Sequence, residues 1–388
     1  MSHRFNRRRF SISVLAAGAV VIPVLGTTSR LAFAQDATPA ASAADALAAM
    51  EGKVLSTGPN GETPTAASDI TLTEEELEQI RAMGATAAIV MHYGGNDWAV
   101  AQIAGLKDQF AKMGIEVIAE TDAGFDPATQ VSDIETTLAR NPSIIVSIPT
   151  DPVATAAAYR QAAEQGVKLV FMDNVPQGFT PGTDYVSAVS ADNYGNGVVS
   201  AHIMADVLGG EGKVGVIFFA ADFFVTQQRY DAFKATLAES YPGMEIVEEQ
   251  GISGPDFAGD ADKAAAAMLT KHADLNGIWA VWDVPAEGVI NAVRTAGRDA
   301  DVVVTTIDLG QNVAVNIAQD GIIKGLGAQR PFDQGVTEAI LAGYGLLGKE
   351  APAYVALPAL PVTNENVLEA WTEVYHQDPP AALQEAAQ

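Results

Sequence analysis

Cysteine is absent from the 388 residues. That excludes disulfides, thiolate metal sites, a cysteine nucleophile and a lipid anchor on cysteine. Basic residues are scarce, with 22 Lys and Arg against 48 Asp and Glu and a formal net charge of -26. A field of that sign repels polyanions, so nucleic acid is not an expected partner. The five histidines (His3, His92, His202, His272, His376) show no metal-ligand spacing, and neither a metal nor another cofactor is expected. The apolar stretch Val14 to Leu25 falls short of the ~20 residues a membrane-spanning helix needs, and it contains Gly18 and Pro23.

What is present begins with that stretch. Residues 1–34 hold five arginines and no acid, with Arg7-Arg8-Arg9-Phe10 ahead of the apolar run and the small-residue site Ala32-Phe33-Ala34 behind it. This is the layout of an export signal. The arginine run fits the twin-arginine pattern except at Asn6 and Ser11. Cleavage after Ala34 and a periplasmic or other extracytoplasmic location are therefore expected, with 17 basic against 48 acidic residues in the remainder. A chain exported already folded can dispense with disulfides, and without a cysteine at the cleavage point it is not expected to be a lipoprotein.

Residues 35–71, rich in Ala, Pro, Thr, Ser and Gly, read as a flexible linker. Thr73 and Glu76 then form a capping-box signature. From residue 86 short apolar runs alternate with segments of helical period, which predicts an α/β fold of two lobes, each a parallel sheet flanked by helices. Strands are predicted at 86–91, 116–120, 144–148, 168–172 and 185–189 in the first lobe. In the second they are predicted at 213–218, 244–249, 277–281, 302–307 and 323–327. The expected division is 72–190 with about 330–356 for one lobe, and 191–329 with about 357–388 for the other. Gly209-Gly210-Glu211-Gly212 precedes a strand, whereas a phosphate loop follows one, so it reads as a turn.

Ligands of open parallel sheets bind beyond the carboxyl ends of the strands. The residues there recur in type: His92-Tyr93-Gly94-Gly95-Asn96-Asp97-Trp98, Asp173-Asn174, Trp282-Asp283, Asp308 and Gln329-Arg330-Pro331. Carboxylates and amides take vicinal hydroxyls pairwise, and indole faces cover the C–H surface of a sugar or polyol. Each Asp or Asn could equally cap the following helix. Trp279 and most phenylalanines read as core.

From about Ala85 to Leu360 the chain resembles the periplasmic sugar-binding proteins of the ribose-binding type, solute receptors of ATP-driven importers. The resemblance is carried by Asn96-Asp97-Trp98, Ile148-Pro149-Thr150-Asp151-Pro152, Ser190-Ala191-Asp192-Asn193, Arg229 before Phe233, Thr306-Ile307-Asp308 and Gly327-Ala328-Gln329-Arg330-Pro331. It implies two lobes joined by a three-strand hinge, closing as a monomer over one neutral sugar or polyol and docking on an ABC transporter membrane permease. It also implies ligand contacts at Asn96, Trp98, Asp173, Asn174, Gln227, Phe257, Trp282, Asp308 and Gln329. Asn174 and Gln227 stand where ribose-binding members resemble one another in having arginine, and Trp282 where they have a small amide, which points away from ribose itself. Two other readings remain open: a secreted sugar-acting enzyme using Asp173 and Asp308, and a sensor subunit that presents its ligand to a membrane receptor. A sugar-responsive repressor would need a basic DNA-binding head, which the export signal and acidity exclude.

Overall fold

The computed structural model describes residues 42–388, so the export signal and residues 35–41 lie outside the described residues. The elements are α1 (Ala43–Ala48), β1 (Thr65–Ala66), α2 (Glu74–Met83), β2 (Thr86–Met91), α3 (Asp97–Lys112), β3 (Glu116–Asp122), α4 (Pro127–Leu138), β4 (Ile144–Ser147), α5 (Ala156–Glu164), β5 (Lys168–Met172) and β6 (Ser187–Ala191). After the first crossing come α6 (Asn193–Leu208), β7 (Glu211–Phe219), α7 (Phe224–Ser240), β8 (Gly243–Ile252), α8 (Phe257–Lys271), β9 (Gly277–Ala280), α9 (Asp283–Thr295), β10 (Val303–Ile307), α10 (Gln311–Ala318) and β11 (Ile323–Ala328). The chain recrosses into α11 (Pro331–Leu347) and β12 (Tyr354–Leu357), then ends with β13 (Leu360–Thr363), α12 (Val367–Tyr375) and α13 (Ala381–Ala386).

One sheet has the order β1-β12-β6-β5-β4-β2-β3 and is parallel throughout. The other has the order β13-β11-β10-β9-β7-β8, parallel except where β13 runs against β11. Both faces of the first sheet are covered, which is why its strands read as unbroken apolar runs. Ile89 and Met91 point into a core with Leu106 and Phe110 of α3, and Ala88 and Val90 into a second core with Ile134 and Tyr159. The three connections between lobes are β6 to α6, β11 to α11 and β12 to β13.

The capping box forms: the Thr73 hydroxyl accepts from the Glu76 N–H and the Glu76 carboxylate from the Thr73 N–H. The segment read as a linker differs from that expectation over residues 42–71. Helix α1 packs on α6, Met50 joins Val198, Val199, Ile203 and Ala359 in a buried cluster, and β1 extends the first sheet beside β12. The N–H groups of Leu55 and Ser56 and the Ser56 hydroxyl all donate to the Asp192 carboxylate at 2.8 Å. Small residues lack a periodic signal, yet their exposed backbone N–H groups dock readily on one buried acid. Strands β12 and β13 have no predicted counterpart because each is only four residues long in a segment interrupted by Pro358 and Pro361. No helix among the described residues is long and apolar enough to cross a membrane.

Candidate functional site

Two aspartates occupy the same place in the two sheets. Asp173 follows β5 and Asp308 follows β10, in each case the strand beside the one that crosses to the other lobe. Both adopt the left-handed conformation, with φ of 55° and 70°, which Asp tolerates better than most residues and which ends the strand abruptly. Each is held to the crossing strand in the same way. The Asp173 N–H donates to Val189 O and its Oδ1 accepts from the Ser190 hydroxyl at 2.6 Å. The Asp308 N–H donates to Gly327 O and its Oδ1 accepts from Gln329 Nε2 at 2.7 Å. The two carboxylates are 3% and 6% exposed and line one cavity of about 60 Å³ between the lobes.

The other walls come from strand ends and helix starts. His92 and Tyr93 follow β2, and Asn96 and Trp98 open α3. Phe125 precedes α4 with φ of 62°, a conformation uncommon for a bulky residue. From the second lobe come Phe219 at the end of β7, Phe223, Val225, Thr226 and Arg229 around and on α7, and Trp282 before α9. The rings interlock across the cleft: His92 stacks on Phe223 at 5.7 Å, and Phe125 meets Phe219 and Phe257 at 6.1 and 5.4 Å. Outside the cavity, the Asp97 carboxylate in the first lobe accepts from the Gln311 N–H at the start of α10 in the second, at 2.7 Å.

Charge in the site is unevenly offset. Arg229 donates through Nε to Asn193 Oδ1 at 2.7 Å, and through Nη1 to Val281 O and Asp308 Oδ2 at 3.3 and 3.2 Å. Its guanidinium therefore neutralises Asp308. Burial pushes Asp173 up to about 6, with the Ser190 hydrogen bond and the more distant Arg229 opposing and Asp308 adding to the rise. Burial drives His92 down to about 3, so that ring is neutral. Asp283 and Glu338, also buried, are both pushed well up by desolvation, the first also by Asp308 and the second also by Asp173. Glu338 Oε1 accepts from Gln102 Nε2 at 2.7 Å between α11 and α3. Among the described residues no acidic and histidine side chains cluster as a metal site.

Of the nine residues proposed from sequence, Asn96, Trp98, Asp173, Trp282, Asp308 and Gln329 line the cavity. Asn96 also caps α3 by accepting from the Ala99 N–H. Asn174 is buried beside the cavity rather than in its wall and donates to Pro149 O. Phe257 stands behind the wall, its ring 5.1 Å from Trp282 and 5.8 Å from Phe219. Gln227 is exposed and donates to Asp231 one turn along α7, because the cavity-facing positions of that helix are Val225, Thr226 and Arg229. A buried arginine spaced three and four residues from Thr226 and Phe233 was the signal for that face. The clustered Phe218 and Phe219 at the end of a strand, followed by Phe223, were the signal for the aromatic wall. Trp279 is core, fully buried and donating to Ser200 Oγ.

Residues 87–350 match the family model described as "Periplasmic binding protein domain". The ribose import binding protein of Bacillus subtilis is 27% identical over 258 residues, covering 66% of this chain and 79% of the relative. An ABC sugar transporter subunit from Rhodobacter sphaeroides superposes with a TM-score of 0.65 at 28% identity, covering 73% of this chain and 99% of that one. An arabinose binding protein from Geobacillus stearothermophilus does so with 0.64 at 26%, covering 73% and 98%. With most of its length matched in this way, the chain belongs to the periplasmic binding protein domain family, and its relatives there are binding proteins of sugar transporters rather than enzymes.

Proposed function

We propose that the chain is the extracytoplasmic solute-binding component of an ABC importer, and that it captures one small polyhydroxylated solute in the interlobe cavity. The observation that carries this is the pair of equivalently placed aspartates, one from each lobe, converging on one aromatic-walled space. A solute that donates to Asp173 and to the Asp308–Gln329 pair joins the two lobes through itself. It thereby favours the closed form by its differential affinity.

Asn96, Trp98, Thr226, Arg229 and Trp282 complete the contact set in this reading, while Phe257 and Asn174 support the walls. A cavity of about 60 Å³ is smaller than the ~150 Å³ that holds a benzene-sized guest, so a ring-sized solute needs the lobes further apart than they stand here. The three interlobe connections are the hinge for that motion. Export through the twin-arginine route belongs to the same reading and rests on Arg7-Arg8-Arg9-Phe10. A membrane permease is the partner that would read the closed form.

The test is a thermal-shift and calorimetric screen of the purified protein against pentoses, hexoses, alditols, cyclitols and their amino derivatives. A solute that raises the melting temperature and is recovered unchanged supports the proposal. A shift produced only by amino acids or nucleosides would overturn it.

A further inference from the structure

Asp173 is the unbalanced group of the cavity. Its Oδ1 accepts from Ser190, and its Oδ2 has no hydrogen-bond partner among the described residues. The cation lining the cavity, Arg229, is already committed to Asn193, Val281 and Asp308. His92 is neutral and adds no positive charge. Asn174, next to Asp173, is an uncharged amide bonded to Pro149. The interior thus carries more negative than positive charge.

The walls of the cavity that holds this carboxylate are largely aromatic. Tyr93, Trp98, Phe125, Phe219, Phe223 and Trp282 line the same space. Aromatic faces carry negative potential and attract ammonium groups, the more so when water is excluded. A neutral hydroxyl can donate to Asp173 but cannot offset its charge, and an unpaired buried charge is costly. Gln329 Oε1, also buried, has no donor, and the Trp98 indole N–H on the same lining has no acceptor, so the site offers a solute acceptors beside Asp173 and one free donor. Outside the cavity, the net charge of -26 draws cations toward the chain.

Resting on the proposed solute-binding role, we infer that the solute is a cation: a small polyol, sugar or cyclitol bearing a primary or methylated ammonium group. The ammonium sits against Asp173 within the aromatic wall, and the hydroxyls engage Asp308, Gln329 and Arg229. No bond is made or broken.

The experiment compares matched pairs that differ only in a hydroxyl or an ammonium group, by calorimetry on the purified wild-type chain at pH 7. The pairs are sorbitol and 1-amino-1-deoxysorbitol, glucose and glucosamine, and myo-inositol and an inosamine. At least one ammonium member is expected to bind ten-fold or more tightly than its hydroxyl partner. In Asp173→Asn that preference is expected to vanish, the ammonium member losing ten-fold or more in affinity relative to its hydroxyl partner. If in every pair that binds the hydroxyl member binds as well as or better than its ammonium partner, the inference fails and the solute-binding proposal stands. If the ammonium preference survives in a folded Asp173→Asn variant, the assignment of the cation to Asp173 fails. If no member of any pair binds and only amino acids or nucleosides do, the proposed function itself falls.

Discussion

Asp173 and Asp308 are equivalent in position and opposite in energetic consequence. With its pKa near 6, Asp173 in the native chain holds a proton between about pH 4 and 6 that the unfolded chain has released. A folded-state pKa above the unfolded value means stability that is full below that window and lost as pH rises through it. The groups facing it are Ser190, Arg229, Asp308, Glu338 and Tyr354, and none supplies a second cation. Asp173→Asn is therefore expected to stabilise the unliganded protein at pH 7 by about 1–3 kcal/mol, with the gain shrinking toward pH 4. Denaturant melts at the two pH values check this, and a gain independent of pH would refute it. Asp308→Ala leaves the Arg229 guanidinium buried without its carboxylate, 3.2 Å away in the native structure. It is expected to destabilise the same protein by about 3 kcal/mol or more. Equal effects from the two substitutions would contradict the charge balance described here.

At the scale of elements, the helices that present the site are held by close backbone approach and by one buried acid. A Cβ on Gly105 of α3 would lie 2.0 Å from Phe332 O, and one on Gly335 of α11 would lie 2.2 Å from Gln102 O. Each helix uses its glycine to admit the other's carbonyl. Gly105→Ala must push α3 off α11 and carries Trp98 with it, so a loss of about 2–4 kcal/mol and weaker solute binding are expected together. A variant that loses stability with unchanged affinity would separate the helix contact from the site. The amino-terminal segment is tied at Ser56, whose hydroxyl donates to Asp192 and accepts from the Tyr194 N–H. Ser56→Ala is expected to cost about 1–2 kcal/mol in a denaturant melt, and no change would show that the segment is not anchored there.

For the whole molecule, the relation between the lobes is set by the three connections, the aromatic contacts across the cleft and exposed polar links, His376–Asp333 at 2.9 Å, Arg330–Glu373 at 2.7 Å and one at a helix start. That link is Asp97 at the start of α10, where a carboxylate meets unpaired N–H groups and the positive end of the helix. It stabilises the arrangement seen here without touching the cavity. Asp97→Ala is expected to weaken solute binding two- to five-fold, which corresponds to about 0.4–1 kcal/mol, and to increase the radius of gyration of the unliganded chain in small-angle scattering. Unchanged affinity and unchanged dimensions would remove Asp97 from the closing contacts.

The alternation of apolar runs and helical periods was enough to specify two parallel sheets. Burial on both faces leaves its mark directly in composition, as in Lys213 to Phe218. It also located Asp173, Trp282 and Asp308, because a polar residue directly after a buried run must sit at a strand end. Those signals are local. Tertiary structure alone decided that Gln227 turns outward while Arg229 turns in, since a helix face is chosen by what packs beneath it. It decided that phenylalanines distant in sequence, 125, 219 and 223, form one wall. It also placed a segment of linker-like composition against Asp192, because the partner that orders it lies about 136 residues away. And it decided that the cavity-lining arginine pairs with Asp308 and leaves Asp173 without a contacting cation, for a charge balance depends on distances that no stretch of sequence records.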